Sequence, residues 1–257
     1  MAGYESFEAA LQAAEQQTEA ALKAAAAVSR ELKKAKVAAA GGQARDLRRS
    51  LEAAEAAAGA LAEAAERARA GFDFDEQAHL SSGGYVKELL ATAAEAGLAM
   101  FEEDDRLLCY PSLVRVLPSE SAVEVDKKRE RRLRPSVLVR HLQDGQARAP
   151  RFRPEPFLES LLAAYELVVA RDNKKYDAVV RLVDVWAVLT LLPGQSRDYT
   201  RQEFARDLYL LDQSGVATAR NDRVLRWSAS TGTKGTGTLT TVAKSGQQQR
   251  YWGIAFS

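Results

Sequence analysis

The chain has 257 residues, 46% hydrophobic and 28% charged, with 36 Lys and Arg against 35 Asp and Glu for a formal net charge of +1. That content suits a globular, soluble chain burying one sizeable core or two small ones. No stretch approaches the roughly 18 uninterrupted apolar residues of a membrane span, and the acidic, Ala-rich start lacks the basic and apolar regions of a signal peptide, so a cytoplasmic location with no membrane contact is expected. Cys109 is the only cysteine and cannot form an internal disulfide. His79 and His141 fall far short of a zinc-ligand set, and no cofactor or metal is expected.

Residues 1–71 read as an antiparallel helical hairpin. Tyr4, Phe7, Leu11, Ala14, Thr18, Ala21, Ala25, Val28, Leu32, Ala35 and Ala39 alternate spacings of three and four, the pattern of a coiled-coil seam. Gly41 and Gly42 interrupt it. A second seam runs through Ala44, Leu47, Leu51, Ala54, Ala58, Leu61, Ala65 and Ala68 and closes at Gly71. Alanine at most seam positions permits close approach but buries little area, so the hairpin is expected to lean on a partner, either another copy of the chain or a coiled-coil protein. High helix propensity in a surface helix pair explains the alanines equally well.

A small α+β domain is expected over residues 72–150. Ser81 to Gly84 form a flexible join, Tyr85 to Ala96 an amphipathic helix ended by Gly97, and the apolar runs 98–101, 106–110, 113–117 and 122–125 a meander of antiparallel strands. A basic run follows directly: Lys127, Lys128, Arg129, Arg131, Arg132 and Arg134 against Glu130. Pro135 opens a helix to Leu142, and a polar linker ends the domain near residue 150.

Residues 151–257 are helical and then stranded. Helices are expected from Pro156 through Val168 and from Ala178 to Leu192. The best local signal is a capping box, Thr200 with Glu203, with Tyr199 and Phe204 at hydrophobic-staple spacing and Gly215 to close, which predicts a helix over 201–213. Phe204, Leu208 and Leu211 make one face of it. Gln202, Arg206, Tyr209 and Gln213 fall on the opposite, hydrogen-bonding face. A strand, the glycine-rich loop of residues 231–238 and two strands turned at Ser245 and Gly246 complete the chain.

Helix, short turn, capped helix and a β-hairpin with a glycine-rich tip resemble a winged-helix domain over about 177–257. The resemblance rests on element order and names a superfamily only. It implies that the capped helix enters a DNA major groove through Arg201, Gln202, Arg206, Tyr209 and Gln213, while Lys234 and Lys244 of the wing touch the backbone. Asp207 and Asp212 on the same helix depart from that pattern. Many winged helices bind only protein.

A flexible basic run between two folded units would neutralise several phosphates and make binding salt-dependent, and its lack of aromatic residues favours duplex over single strands; the bland alternative is a solvated hairpin end. Asp126, Lys127 and Lys128 also spell D-x-K after a strand, with Asp104 and Asp105 about twenty residues upstream, which resembles the PD-(D/E)xK nucleases, where carboxylates hold Mg²⁺ and the lysine helps to activate a water. The loop of residues 231–238 lacks the P-loop signature, and no G-x-S-x-G nucleophile motif occurs. The expectation is therefore a non-enzymatic α+β protein that assembles through its hairpin and contacts duplex DNA as an accessory or regulatory subunit. The alternatives are an adaptor whose winged helix binds protein and, more weakly, a metal-dependent nuclease.

Overall fold

In the computed structural model, which describes residues 4–148, 152–228 and 237–257, helices and antiparallel sheet form two compact units. One runs up to Glu88 and includes Arg134–Ser136. The other comprises Leu89–Leu133 and the chain from Val137 onward.

The first unit is dominated by α1 (Phe7–Ala40) and α2 (Ala44–Gly71), a helical hairpin. The Ser6 side chain caps α1 by accepting from the Ala9 N–H at 3.1 Å, and Gly42 turns the chain at φ +69°. Only half of the expected seam faces inward. Phe7, Ala14, Ala21, Val28 and Ala35 are shielded with Leu47, Ala54, Leu61 and Ala68, but the second inward column is Ala10, Gln17, Ala24, Glu31 and Ala38 against Ser50, Ala57, Ala64 and Gly71. The column holding Leu32 (49% exposed) and Leu51 (48% exposed) lies outside. Apart from Gln17 and Glu31 this column is alanine, serine and glycine, which let the two backbones approach where leucines would hold them apart. At Gly71 a Cβ would collide with the Gln17 carboxamide.

Around the start of α1, α3 (Glu76–Ser81) and α4 (Gly84–Glu95) close a small aromatic cluster in which Phe7 stacks on Phe74 with centroids 5.2 Å apart, His79 and Tyr85 beside them. The Glu88 carboxylate accepts from the Phe7 and Glu8 N–H groups at 3.0 and 2.8 Å, a negative charge where the helix dipole favours one. Arg134 donates to Glu8 at 2.7 Å and also to Glu15, while the Ser136 N–H and hydroxyl both reach Glu8 at 2.9 Å. Burial pushes the Glu8 carboxyl upward, but the Ser136 N–H and the Arg134 guanidinium outweigh it and hold the group below its ordinary range.

In the second unit β1 (Phe101–Glu103), β2 (Arg106–Cys109), β3 (Ser112–Leu117), β4 (Ala122–Val125) and β5 (Lys128–Glu130) pair antiparallel in sequence order. The meander has one strand more than expected, because the basic run itself turns back at Asp126 and Lys127 and pairs Lys128 with Val125. Both turn residues have positive φ, 48° and 65°, as a two-residue type I′ hairpin requires. Lys128–Glu130 of the run are therefore part of the sheet, while Arg131, Arg132 and Arg134 follow it outside any strand. Helix α5 (Pro135–Gln146) continues through the first half of the expected linker.

Next come α6 (Pro154–Arg171), β6 (Val180–Arg181), α7 (Leu182–Leu189), α8 (Gln195–Asp198), α9 (Arg201–Ser214), β7 (Leu225–Ser228), β8 (Leu239–Val242), β9 (Gln248–Tyr251) and β10 (Gly253–Phe256). The helix expected over 178–192 is shorter at both ends, since Val180 and Arg181 pair with β10 instead and Thr190 caps the C-terminus. The three-stranded sheet has the order β6-β10-β7, and β8 and β9 make a separate hairpin. The core gathers Leu158, Leu162 and Tyr165 of α6, Phe204 and Leu208 of α9 and Phe256 of β10, all at most 1% exposed. A smaller cluster joins Leu108 and Leu113 of the meander to Val242 of β8. Among the described residues no helix is long and apolar enough to cross a membrane.

Candidate nucleic-acid interface

Helix α9 is fixed at both ends by its own sequence. The Glu203 N–H donates to the Thr200 hydroxyl at 3.3 Å, the Glu203 carboxylate accepts from the Thr200 N–H at 2.8 Å, and Gly215 ends the helix at φ +73°. Tyr199 and Phe204 meet with ring centroids 6.0 Å apart, as the staple spacing predicts. Phe204 and Leu208 are fully buried and Leu211 is 1% exposed, so the apolar face is core.

The opposite face is engaged within the same unit. Gln202 donates to Asp104 at 3.0 Å in the β1–β2 turn, and Arg206 donates to Asp126 at 3.0 Å in the β4–β5 turn and to its neighbour Asp207 at 3.2 Å. Tyr209 is 5% exposed, lies edge-on to Tyr110 at 5.6 Å, and its hydroxyl accepts the Lys244 N–H at 2.9 Å. The expected reading face thus packs against the meander and β8. Arg201 is exposed with its guanidinium 5.0 Å above the Trp186 ring, and Gln213 and the Lys244 side chain are exposed. Lys234 lies outside the described residues. A sequence signal for this burial was present in Leu208 to Leu211, an apolar run that covers the helix all round and so marks a helix enclosed on both sides.

Asp207 shows what the packing costs. Burial pushes its carboxyl above the ordinary range, although Arg206 and the Tyr199 hydroxyl, which donates to it at 2.9 Å, both act in the opposite direction. Glu203 resolves the other way. Its burial works upward, but the Thr200 N–H and the Lys127 ammonium at 3.1 Å outweigh it and keep the carboxyl below its usual value.

The basic run divides into tied and untied cations. Lys127 is held by Glu203 and by the Asp198 carbonyl, Arg129 by Glu120 at 2.6 Å, Arg132 by Glu130, and Arg134 by Glu8 and Glu15 in the first unit. Arg132 and the backbone N–H groups bring the Glu130 carboxyl down to about 2. Lys128 and Arg131 are exposed and make no ion pair with a described carboxylate. Lys128 also borders a groove of about 450 Å³ between β5 and α5, where His141 and Arg148 stand near Asp126 and Asp144.

The carboxylates of the D-x-K resemblance serve the turns. Asp105 pairs with Arg115 at 3.0 Å, Asp104 accepts from Gln202, and Asp126 accepts from the Leu113 N–H at 3.1 Å as well as from Arg206. No group of three or more His, Cys, Asp or Glu among the described residues could hold a metal ion. Cys109, buried in β2, has its thiol pushed up to about 12 by desolvation and is a poor nucleophile. No protein-family model, curated protein or solved structure matches the chain.

Proposed function

We propose that the chain is a non-enzymatic accessory subunit in which the N-terminal hairpin provides assembly and a winged-helix-like C-terminal half binds a protein partner. The resemblance is supported by the strand order β6-β10-β7, which sets the last strand between the other two, and departs from the expected wing in that β7 and β8, on either side of the glycine-rich loop, do not pair: β8 and β9 form their own hairpin between β7 and β10 in the chain. The observation that carries the adaptor reading is the occupied outer face of α9. A helix whose Gln202 and Arg206 already bond to Asp104 and Asp126, and whose Tyr209 is buried, has few donors left for base edges. Leu191 and Leu192, which follow α7, are 73% and 69% exposed, adjacent apolar side chains of the kind a protein partner covers.

Duplex DNA binding is the second reading, favoured by the exposed, unpaired Lys128 and Arg131 on β5 and just beyond it. Fluorescence anisotropy with a labelled duplex of mixed sequence separates the two. The adaptor reading expects weak binding without base preference, unaltered by Arg206→Ala at a temperature where the variant is folded. Tight binding whose base preference relaxes in Arg206→Ala would overturn it, and a salt slope that flattens in Lys128→Gln/Arg131→Gln would establish the second reading.

A further inference from the structure

The hairpin carries its charge in two blocks. Residues 30–49, which surround the loop, hold seven cations, among them Lys33, Lys36 and Arg48, against Glu31 and Asp46, a net of +5. Residues 4–29 and 50–71 hold eight carboxylates, among them Glu19 and Glu66, against three cations, a net of −5. The hairpin is thus a rod with ends of opposite charge, the acidic one partly neutralised by Arg134 at Glu8 and Glu15.

Along that rod runs the apolar column that the intrachain seam leaves out. In both helices it stands four residues after a seam position, Leu32 after Val28 and Leu51 after Leu47. The same rotation in two helices of opposite direction puts both columns on one broad face. There a shallow depression of about 420 Å³ is lined by Ala25, Val28 and Leu32 of α1 together with Leu61 of α2. Leu22 is 65% exposed in the same stretch of α1.

We infer that this face binds the same face of a second copy, with the two hairpins antiparallel about a two-fold axis, to make a four-helix assembly. The inference rests on the assembly role proposed for the hairpin and adds its geometry. Two copies stacked in parallel would set +5 on +5. The antiparallel arrangement sets each basic end over an acidic one, twice, as a self-complementary interface requires. A nucleic acid would meet the basic end alone, would be repelled by the acidic stretch, and would leave the leucines uncovered. The area is sufficient: α2, the shorter helix, has 28 residues, so at 1.5 Å each the two-helix face is about 42 Å long and, at about 20 Å wide, on the order of 800 Å², the size per partner of a stable pair.

An in-plane two-fold axis lays α1 on its own counterpart and α2 on its own. Arg48 then comes near Glu66 of the second copy, twice by symmetry. The test is sedimentation equilibrium of the full chain. The wild type is expected to be a dimer that weakens with salt. Arg48→Glu should raise the dissociation constant about tenfold or more, and adding Glu66→Lys in the same chain should restore it to within about threefold, with circular dichroism unchanged throughout. Restoration by the charge exchange excludes misfolding as the cause. A wild-type oligomer that the exchange fails to restore would overturn the antiparallel pairing while leaving assembly intact. A wild-type monomer at high concentration would overturn both, and binding of a labelled duplex by that monomer, lost in Arg48→Glu, would assign the basic end to nucleic acid.

Discussion

Replacing Arg206 with alanine should destabilise the second unit, although this arginine stands on the polar face of its helix. Its guanidinium is the cation bonded to Asp207, whose side chain is 17% exposed, and it also reaches Asp126 across the β4–β5 turn. Removing it leaves Asp207 with the Tyr199 hydroxyl as its neutral donor and with desolvation uncompensated, which costs about 2 kcal/mol on the scale of a broken, partly buried charged hydrogen bond. For a protein of this size that is a fall in Tm of roughly 4–8 °C. Asp207→Asn in the same chain removes the charge that needs compensation and should recover most of the loss. The sign with pH follows from the raised carboxyl: a group whose folded pKa lies above its unfolded value stabilises the fold below the unfolded value, and that contribution is lost as pH rises through the folded one. Loss of Arg206 raises it further, so the defect should be larger at pH 7 than at pH 5. Urea unfolding followed by tryptophan fluorescence reads this, since the Trp186 indole N–H donates to the Tyr199 carbonyl at 2.9 Å. An Arg206→Ala protein as stable as the wild type, or one that Asp207→Asn does not rescue, would refute the reasoning.

Three further changes probe the same helix. Leu208→Ala removes a fully buried side chain from the main core and should cost about 2–5 kcal/mol by urea unfolding. Lys127→Met leaves the Glu203 carboxylate, 5% exposed, without its cation. Because that carboxyl is held below its ordinary value, its contribution is present above pH 4.5 and lost as pH falls through the folded pKa, so wild type and variant should differ at pH 7 and converge under acid in a thermal melt. Tyr209→Phe removes the acceptor of the Lys244 N–H and should cost about 1 kcal/mol without altering the circular dichroism spectrum.

Local chemistry determined what could be read without the fold. The capping box at Thr200 and Glu203, the glycine at 215 and the break at Gly41 and Gly42 act within a few residues, and each stands where the sequence indicates. The strands of the meander are legible for the same reason, as short apolar runs set off by turn residues. Tertiary packing decided the rest. The column that packs inward holds Gln17, Glu31 and Ser50 among its alanines, so apolar periodicity alone favours the other one, and packing turns Leu32 and Leu51 outward. The basic run reads as a loop because Asp126 and Lys127 are not a usual hairpin pair; they hold positive φ where β5 pairs with β4 and Lys127 is tied to Glu203. Likewise Gln202, Arg206 and Tyr209 share a helix face by spacing alone, but whether that face meets a ligand or the chain's own turns depends on Asp104, Asp126 and Lys244, residues 35 to 98 positions away in sequence. A sequence period can give the direction a side chain points along its own element. What occupies the space it points into depends on long-range packing.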